Sequence, residues 1–239
     1  MELDENMWAR IGEYNREHED PETALPRANM HKANNNFKQA ILDYNHYLKY
    51  KPEEALPYLH LADCYFFLDN YQEAIVNYEN GIARITGEIP YDFFNNYGGA
   101  LLDSGEYEKA LTIADKVVNQ NKNSVSYLLK GQVLLQLDKY DVAFYYLTRA
   151  IEIDPKRWEP WATRAKLDYC LGDYYRVILD FKNAHLLNAN LPAHYYTTHA
   201  FALNNIGKND EALKEFERAK ILGDPEAKAI CEKLILNKL

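Results

Sequence analysis

Apolar and polar positions recur along this chain with two nested periods. Over short stretches, apolar residues return every three or four places, the spacing that puts them on one face of an α-helix. Over longer stretches whole patterns return after about 34 residues, the length of one helix-turn-helix repeat. The segments FKQAI, YQEAI, YEKAL, YDVAF, YYRVI and NDEAL begin at Phe37, Tyr71, Tyr107, Tyr140, Tyr174 and Asn209. Their fourth residues are Ala40, Ala74, Ala110, Ala143, Val177 and Ala212, spaced by 34, 36, 33, 34 and 35 positions. Twelve places before each stands another small residue: Ala28, Ala62, Gly98, Gly131, Ala165 and Ala200.

These offsets predict a helix whose small residue lets a partner cross closely, a short turn, and a second helix with its own small contact point. Bulk flanks the crossings. Four places before the first series come Ala24, Tyr58, Phe94, Tyr127, Trp161 and Tyr196; four places after the second come Tyr44, Tyr78, Ala114, Leu147, Phe181 and Phe216. Five places before each second-series residue stand Asn35, Asp69, Gly105, Asp138, Gly172 and Gly207, types that tolerate the left-handed backbone ending a helix.

The run Tyr58-x-x-Leu61-Ala62-x-x-Tyr65 followed by Ala74-x-x-x-Tyr78 resembles the tetratricopeptide repeat, over roughly residues 21–224. The closing proline of that motif appears as Pro52 and Pro155, with Pro225 one place late, while Thr86, Lys122 and Ala189 depart from it. The resemblance implies an all-α fold, a right-handed superhelix (α-solenoid) of about six tandem units with capping helices at both ends. The units run 21–54, 55–90, 91–123, 124–157, 158–191 and 192–224.

Some segments depart from the regular pattern. Residues Thr86 to Pro90 lengthen the second unit and predict a longer loop. Pro26 falls inside the expected first helix, which predicts a short helix starting there, and Asn34–Asn36 predict an extended polar turn. Residues 1–20 hold seven carboxylates and two arginines, with Leu3, Met7, Ile11 and Tyr14 at helical spacing. They suit an amphipathic cap or the start of a degenerate extra repeat at Trp8-x-x-Ile11-Gly12. Asp224-Pro225 starts a C-terminal capping helix, 225–239, with Ala227, Ile230, Cys231 and Leu234 as its apolar stripe.

Charge and composition narrow the function. A formal net charge of -9 opposes binding to a phosphate backbone. No apolar stretch approaches the ~20 residues that span a bilayer, and the acidic N-terminus is unlike a secretory signal, so the chain reads as cytoplasmic. Cys64, Cys170 and Cys231 lie too far apart for a metal or disulfide framework and read as reduced core or groove thiols.

In the family it resembles, the first helix of each pair lines a concave face that receives peptides, which implies a protein-binding scaffold or adaptor. Measured from each first-series small residue, the groove places lie three before and one, four and five after. The candidates are Leu59, Asp63, Phe66, Phe67, Asn95, Leu102, Asp103, Leu128, Gln132, Leu135, Lys166, Tyr169 and Phe201. Phe66, Phe67, Leu102, Leu128 and Leu135 suit helix–helix contact equally well. This mix of apolar anchors and amides fits an apolar peptide or helix of a partner. Some relatives clamp a chaperone's C-terminal carboxylate; Leu25 and His60 replace a Lys and an Asn of that clamp, which disfavours it.

Two rival roles remain open at this level: self-association with the N-terminal helix docked in a groove, and chaperoning of a secretion or assembly client. No phosphate-cradling loop, nucleophile elbow or metal-spaced histidines are present, so neither catalysis, cofactor nor metal is expected.

Overall fold

The computed structural model describes residues 20–86 and 90–236. Those residues form thirteen α-helices and no strand. In order they are α1 Pro21–Ala33, α2 Phe37–Tyr50, α3 Ala55–Phe66, α4 Tyr71–Ile82, α5 Tyr91–Asp103, α6 Tyr107–Gln120 and α7 Ser124–Gln136. They continue as α8 Tyr140–Ile153, α9 Trp158–Cys170, α10 Tyr174–Leu187, α11 Ala193–Asn205, α12 Asn209–Ile221 and α13 Pro225–Leu236. Six helix pairs followed by one closing helix therefore match the expected repeats. The proposed N-terminal cap lies outside the described residues.

The turn inside each pair is set by one residue in the left-handed region. Asn35, Asp69 and Asp138 have φ of 58°, 57° and 55°, and Gly105, Gly172 and Gly207 have 80°, 77° and 81°. In each case the next residue's N–H reaches back to a carbonyl five places earlier, as in Asn36 to His31 at 2.8 Å and Lys208 to Leu203 at 2.9 Å. This double-back satisfies carbonyls that the helix end leaves without partners. Gly223, at φ 93°, repeats the device before α13.

Two expectations fail in the first pair. The helix α1 begins at Pro21, not Pro26, because the Asp20 carboxylate accepts from Glu22 N–H at 3.0 Å and Pro21 occupies the first turn. Pro26 then lies on an exposed side of the second turn, where the carbonyl it cannot bond lies near the helix start. The three asparagines form the same tight turn as in the other pairs, because Asn35 itself takes the left-handed conformation. The longer connection is found where expected: eight residues, 83–90, separate α4 from α5, against four between α2 and α3.

Residues divide into two compact units, parting at Val117 and Val118 within α6. Within unit 1, α1 approaches α3 and α3 approaches α5; within unit 2, α7 approaches α9 and α9 approaches α11. Second helices of successive pairs do not come as close, so in each unit the first helices form the inner layer. All twelve small crossing residues are buried.

A polar tie at one repeated spacing joins the two helices of several pairs. Arg27 grips Asp43 with Nε and Nη2 at 2.8 and 2.9 Å, and Arg164 grips Asp180 at 2.6 and 3.0 Å. Lys130 donates to Tyr146 at 2.8 Å, again sixteen residues away. The aspartates are buried, so the two-pronged geometry replaces the water they lost.

The crossing at Gly131 leaves no room for a side chain, since a Cβ there would meet Leu147 Cγ and Cδ2 at 2.7 Å. Gly131→Ala gains about 1 kcal/mol of helix propensity, but overpacking costs about 1–3 kcal/mol. We expect a lower urea midpoint for Gly131→Ala, restored when Leu147 is trimmed to Val; a midpoint raised by the single change would refute this packing.

Candidate functional site

The inner face of unit 1 is organised around Asp63 on α3, 5% exposed. Its carboxylate accepts from Lys32 Nζ at 2.5 Å, Tyr78 hydroxyl at 2.6 Å and Asn96 Nδ2 at 3.0 Å. Lys32 also meets His60 Nδ1 at 2.8 Å. Burial first, then Lys32, lowers the His60 pKa to about 4, so the ring is neutral and can accept that hydrogen bond. The Lys32 cation is thus already engaged by Asp63 and His60, which adds a structural reason why this face does not offer a carboxylate clamp.

Farther along, Phe66 ends α3 with its ring 5.6 Å from Phe67 and 5.9 Å from Tyr71. Phe67 is half exposed and stacks on Phe37 at 5.1 Å. Asp103 is exposed as a residue, but partial desolvation of its carboxyl, then the nearby Asp69, raises its pKa; the Tyr71 hydroxyl beside them donates to Asp69 at 2.8 Å. Asn95 and Leu102 are half-buried on α5, and Asn95 Oδ1 has no hydrogen-bond partner.

Besides Asp63, three expected groove residues are buried, and these three belong to the apolar core. Leu59 is 0% exposed and fills the space above Gly81, where an added Cβ would lie 2.5 Å from its Cδ2. Leu128 and Leu135 are 7% and 6% exposed. The position three before the small residue lies only about 60° from it around a helix of 3.6 residues per turn. It therefore points at the paired helix. Leu135, four places after its glycine, is likewise on that side, whereas Gln132, one place after, is half-buried.

In unit 2 the expected residues Lys166, Tyr169 and Phe201 do come together, around a cavity of about 430 Å³. Helix α9 supplies Lys166, Tyr169 and Cys170, and α11 supplies Thr197, Thr198 and Phe201. His194, Asp224 and Glu226 complete it, the last two from the start of α13. Those three and Thr198 escaped the repeat offsets. A repeat register does not tell where a closing helix folds, so it could not place Asp224 or Glu226 beside the inner layer. Burial, then Lys166, lowers the His194 pKa and favours a neutral ring; burial raises that of Tyr169.

Behind this face, Asp168 on α9 is 0% exposed and paired with Arg176 Nη1 at 3.2 Å, while its Oδ2 has no partner. Burial is the largest influence and pushes its pKa up to about 7, against the pull of Arg176 and Arg164. Asp180 and Asp173 add to the rise. Among the described residues no group of three His, Cys, Asp or Glu could hold a metal ion, and no helix is long and apolar enough to cross a membrane. Cys64 and Cys231 are buried free thiols and Cys170 is an exposed one.

Because folded Asp168 keeps its proton to about 7 and the unfolded chain releases it near 3.9, the native state binds the extra proton between those values. Its favourable contribution is full at the acid end and fades as pH rises through 7. The melting temperature of wild type relative to Asp168→Asn should fall between pH 5 and pH 8; a constant difference would contradict the buried titration.

Residues 56–84 and 125–157 match the family model for the tetratricopeptide repeat. A UDP-N-acetylglucosamine–peptide N-acetylglucosaminyltransferase of Giardia intestinalis is 25% identical over 130 residues, which is 50% of this chain and 9% of that protein. Among solved structures, the type IV pilus biogenesis factor PilW superposes with a TM-score of 0.72 at 17% identity, covering 88% of this chain and 97% of that one. A thermophilic TPR protein of Thermus thermophilus, TTC0263, gives 0.64 at 16% identity, covering 76% and 99%.

Proposed function

Since this chain belongs to the tetratricopeptide repeat family, whose members generally mediate protein–protein interactions, we propose that it is an adaptor that holds an apolar peptide or helix of a partner on the inner faces of its helix pairs. The observation that carries this reading is the juxtaposition in unit 2 of Lys166, Tyr169 and Phe201, from two successive first helices, around one open cavity. A cleft of that size, with aromatic walls and a few polar groups, is suited to side-chain insertion rather than to bond-making chemistry. In unit 1 the exposed Phe67 and the half-buried Leu102 and Asn95 supply further apolar and amide contacts of the kind peptide grooves use.

The core placement of Leu59, Leu128 and Leu135 decides which variants test this reading. Asn95→Ala, Leu102→Ser and Gln132→Ala combined should leave helical content and melting temperature near wild type. Protein captured from a native lysate should fall about tenfold, as expected when ~1.4 kcal/mol of contact is removed. Tyr145→Ser with Leu179→Ser, on exposed outer positions of α8 and α10, should leave capture unchanged. Full capture by the inner-face variant, or loss only in the outer-face variant, would overturn the proposal.

A further inference from the structure

The polar tie between the two helices of a pair changes its chemistry in the last one. It joins the residue just before the small residue of the first helix to the residue sixteen places on. Those places hold Arg27 and Asp43, Lys130 and Tyr146, and Arg164 and Asp180, each pair joined by hydrogen bonds. On α11 and α12 they hold His199 and Glu215. There the tie is open: His199 Nδ1 stands 3.9 Å from Glu215 Oε1, about 1 Å longer than an N–H···O hydrogen bond. His199 Nδ1 and Glu215 Oε2 are both buried, and among the described residues neither has a hydrogen-bond partner. Buried polar atoms left unpaired in this way cost stability.

Histidine is the side chain that ordinarily changes charge between about pH 5 and pH 8, so a tie built on it is conditional. A neutral ring gives Glu215 no opposite charge, whereas an imidazolium donates from both nitrogens and turns the contact into an ion pair. The surroundings leave that role to His199. Its ring lies nearly flat on Phe181 of α10, with centroids 4.0 Å and planes 13° apart, and an aromatic face attracts a cation. His185, also on α10, is a poor rival, because burial, then Arg218, lowers its pKa. On α12, Arg218 donates to the Ala189 carbonyl at 3.1 Å and lies over the Tyr196 ring at 4.4 Å. Arg164 of α9 and Asp180 of α10, the tie of the preceding pair, are held by each other. Burial opposes a charge on His199, whose side chain is 12% exposed, but Glu215, at 24%, already brings a carboxylate to the same place. Protonating the ring gives that carboxylate a partner.

We propose that His199 and Glu215 form a protonation-controlled clasp between α11 and α12, open when the ring is neutral and closed as an ion pair, as in the first and fifth pairs, when the ring takes up a proton. The proton held in the closed clasp stabilises the folded chain at the acid end of this range, and the contribution fades as pH rises and the ring loses its charge. The clasp acts on the helix pair that brings Thr197, Thr198 and Phe201 to the cavity and against which α13 packs. It holds whatever ligand the inner face takes.

A double-mutant cycle on the full chain tests the clasp, with wild type, His199→Gln, Glu215→Gln and the double variant unfolded in urea at about pH 5.5 and about pH 8. Groups elsewhere, Asp168 included, titrate alike in all of these proteins and cancel. The unfolding equilibrium constants should show a coupling of about fivefold at the lower pH, the equivalent of one hydrogen bond, and none at the higher. His199→Arg, whose charge is permanent, should couple to Glu215 at both. Equal coupling of His199 at the two pH values, coupling at the higher one alone, or no coupling at either overturns the proposal. If His199→Gln does not fold, Glu215→Gln in the wild-type and His199→Arg backgrounds decides: its cost should shrink with rising pH in the first and stay constant in the second. The same pH dependence in both backgrounds refutes the clasp.

Discussion

Two helices can cross closely only where neither presents a long side chain, and this structure repeats that constraint from pair to pair. The small residues from Ala28 to Ala200 and from Ala40 to Ala212 all sit in buried contacts. Once the crossing is fixed, a chain that must reverse within three or four residues needs one residue in the left-handed region, and that requirement admits Asn, Asp or Gly. The sixteen-residue separation of Arg27 from Asp43 and of Arg164 from Asp180 then follows, because the crossing and the turn set which side chains face each other. Period, turn chemistry and ionic ties are consequences of one steric fact.

That hierarchy explains how much could be read from the sequence. Crossing and turn residues were legible because backbone geometry restricts the types allowed at those places, and all six turn positions adopt the left-handed conformation. Helix starts were less legible where a cap competes with a proline, as at Asp20 and Pro26. Groove residues were the least legible. Treating every repeat as equivalent ignores local compensation: Leu59 enters the core because Gly81 leaves a space opposite it. Lys166 and Phe201 could be found because they lie one place after a small residue, about 100° around the helix from it; Tyr169, four places after, shares its offset with the buried Leu135 and differs by the cavity beside it. Asp224 and Glu226 belong to a closing helix outside the register, so no offset could point to them.

Charge adds a second level of organisation that the net value conceals. Residues 1–117 carry 10 Lys and Arg against 21 Asp and Glu, whereas residues 118–239 carry 17 against 15. The excess negative charge therefore belongs to the first unit, and in its inner network Lys32 is taken up by Asp63. The second unit is close to balanced, so the acidity of the chain is a property of one half and not a uniform feature of the repeat.

Asp63, Asp168 and Thr197 are among the polar residues buried on first helices, and they differ in how completely their partners are supplied. Asp63 receives hydrogen bonds from Lys32, Tyr78 and Asn96 and is fully integrated. Asp168 has one oxygen bound by Arg176 and the other unpaired, which ties its protonation to the packing of α9 on α10. The Thr197 hydroxyl, like that of Thr163, has no hydrogen-bond partner among the described residues. A satisfied network fixes a fold, and a half-satisfied one responds to pH. A buried hydroxyl without a partner costs stability that leucine or alanine at the same place would keep, so the three sites differ in how far the protein replaces the water that each polar group lost on burial.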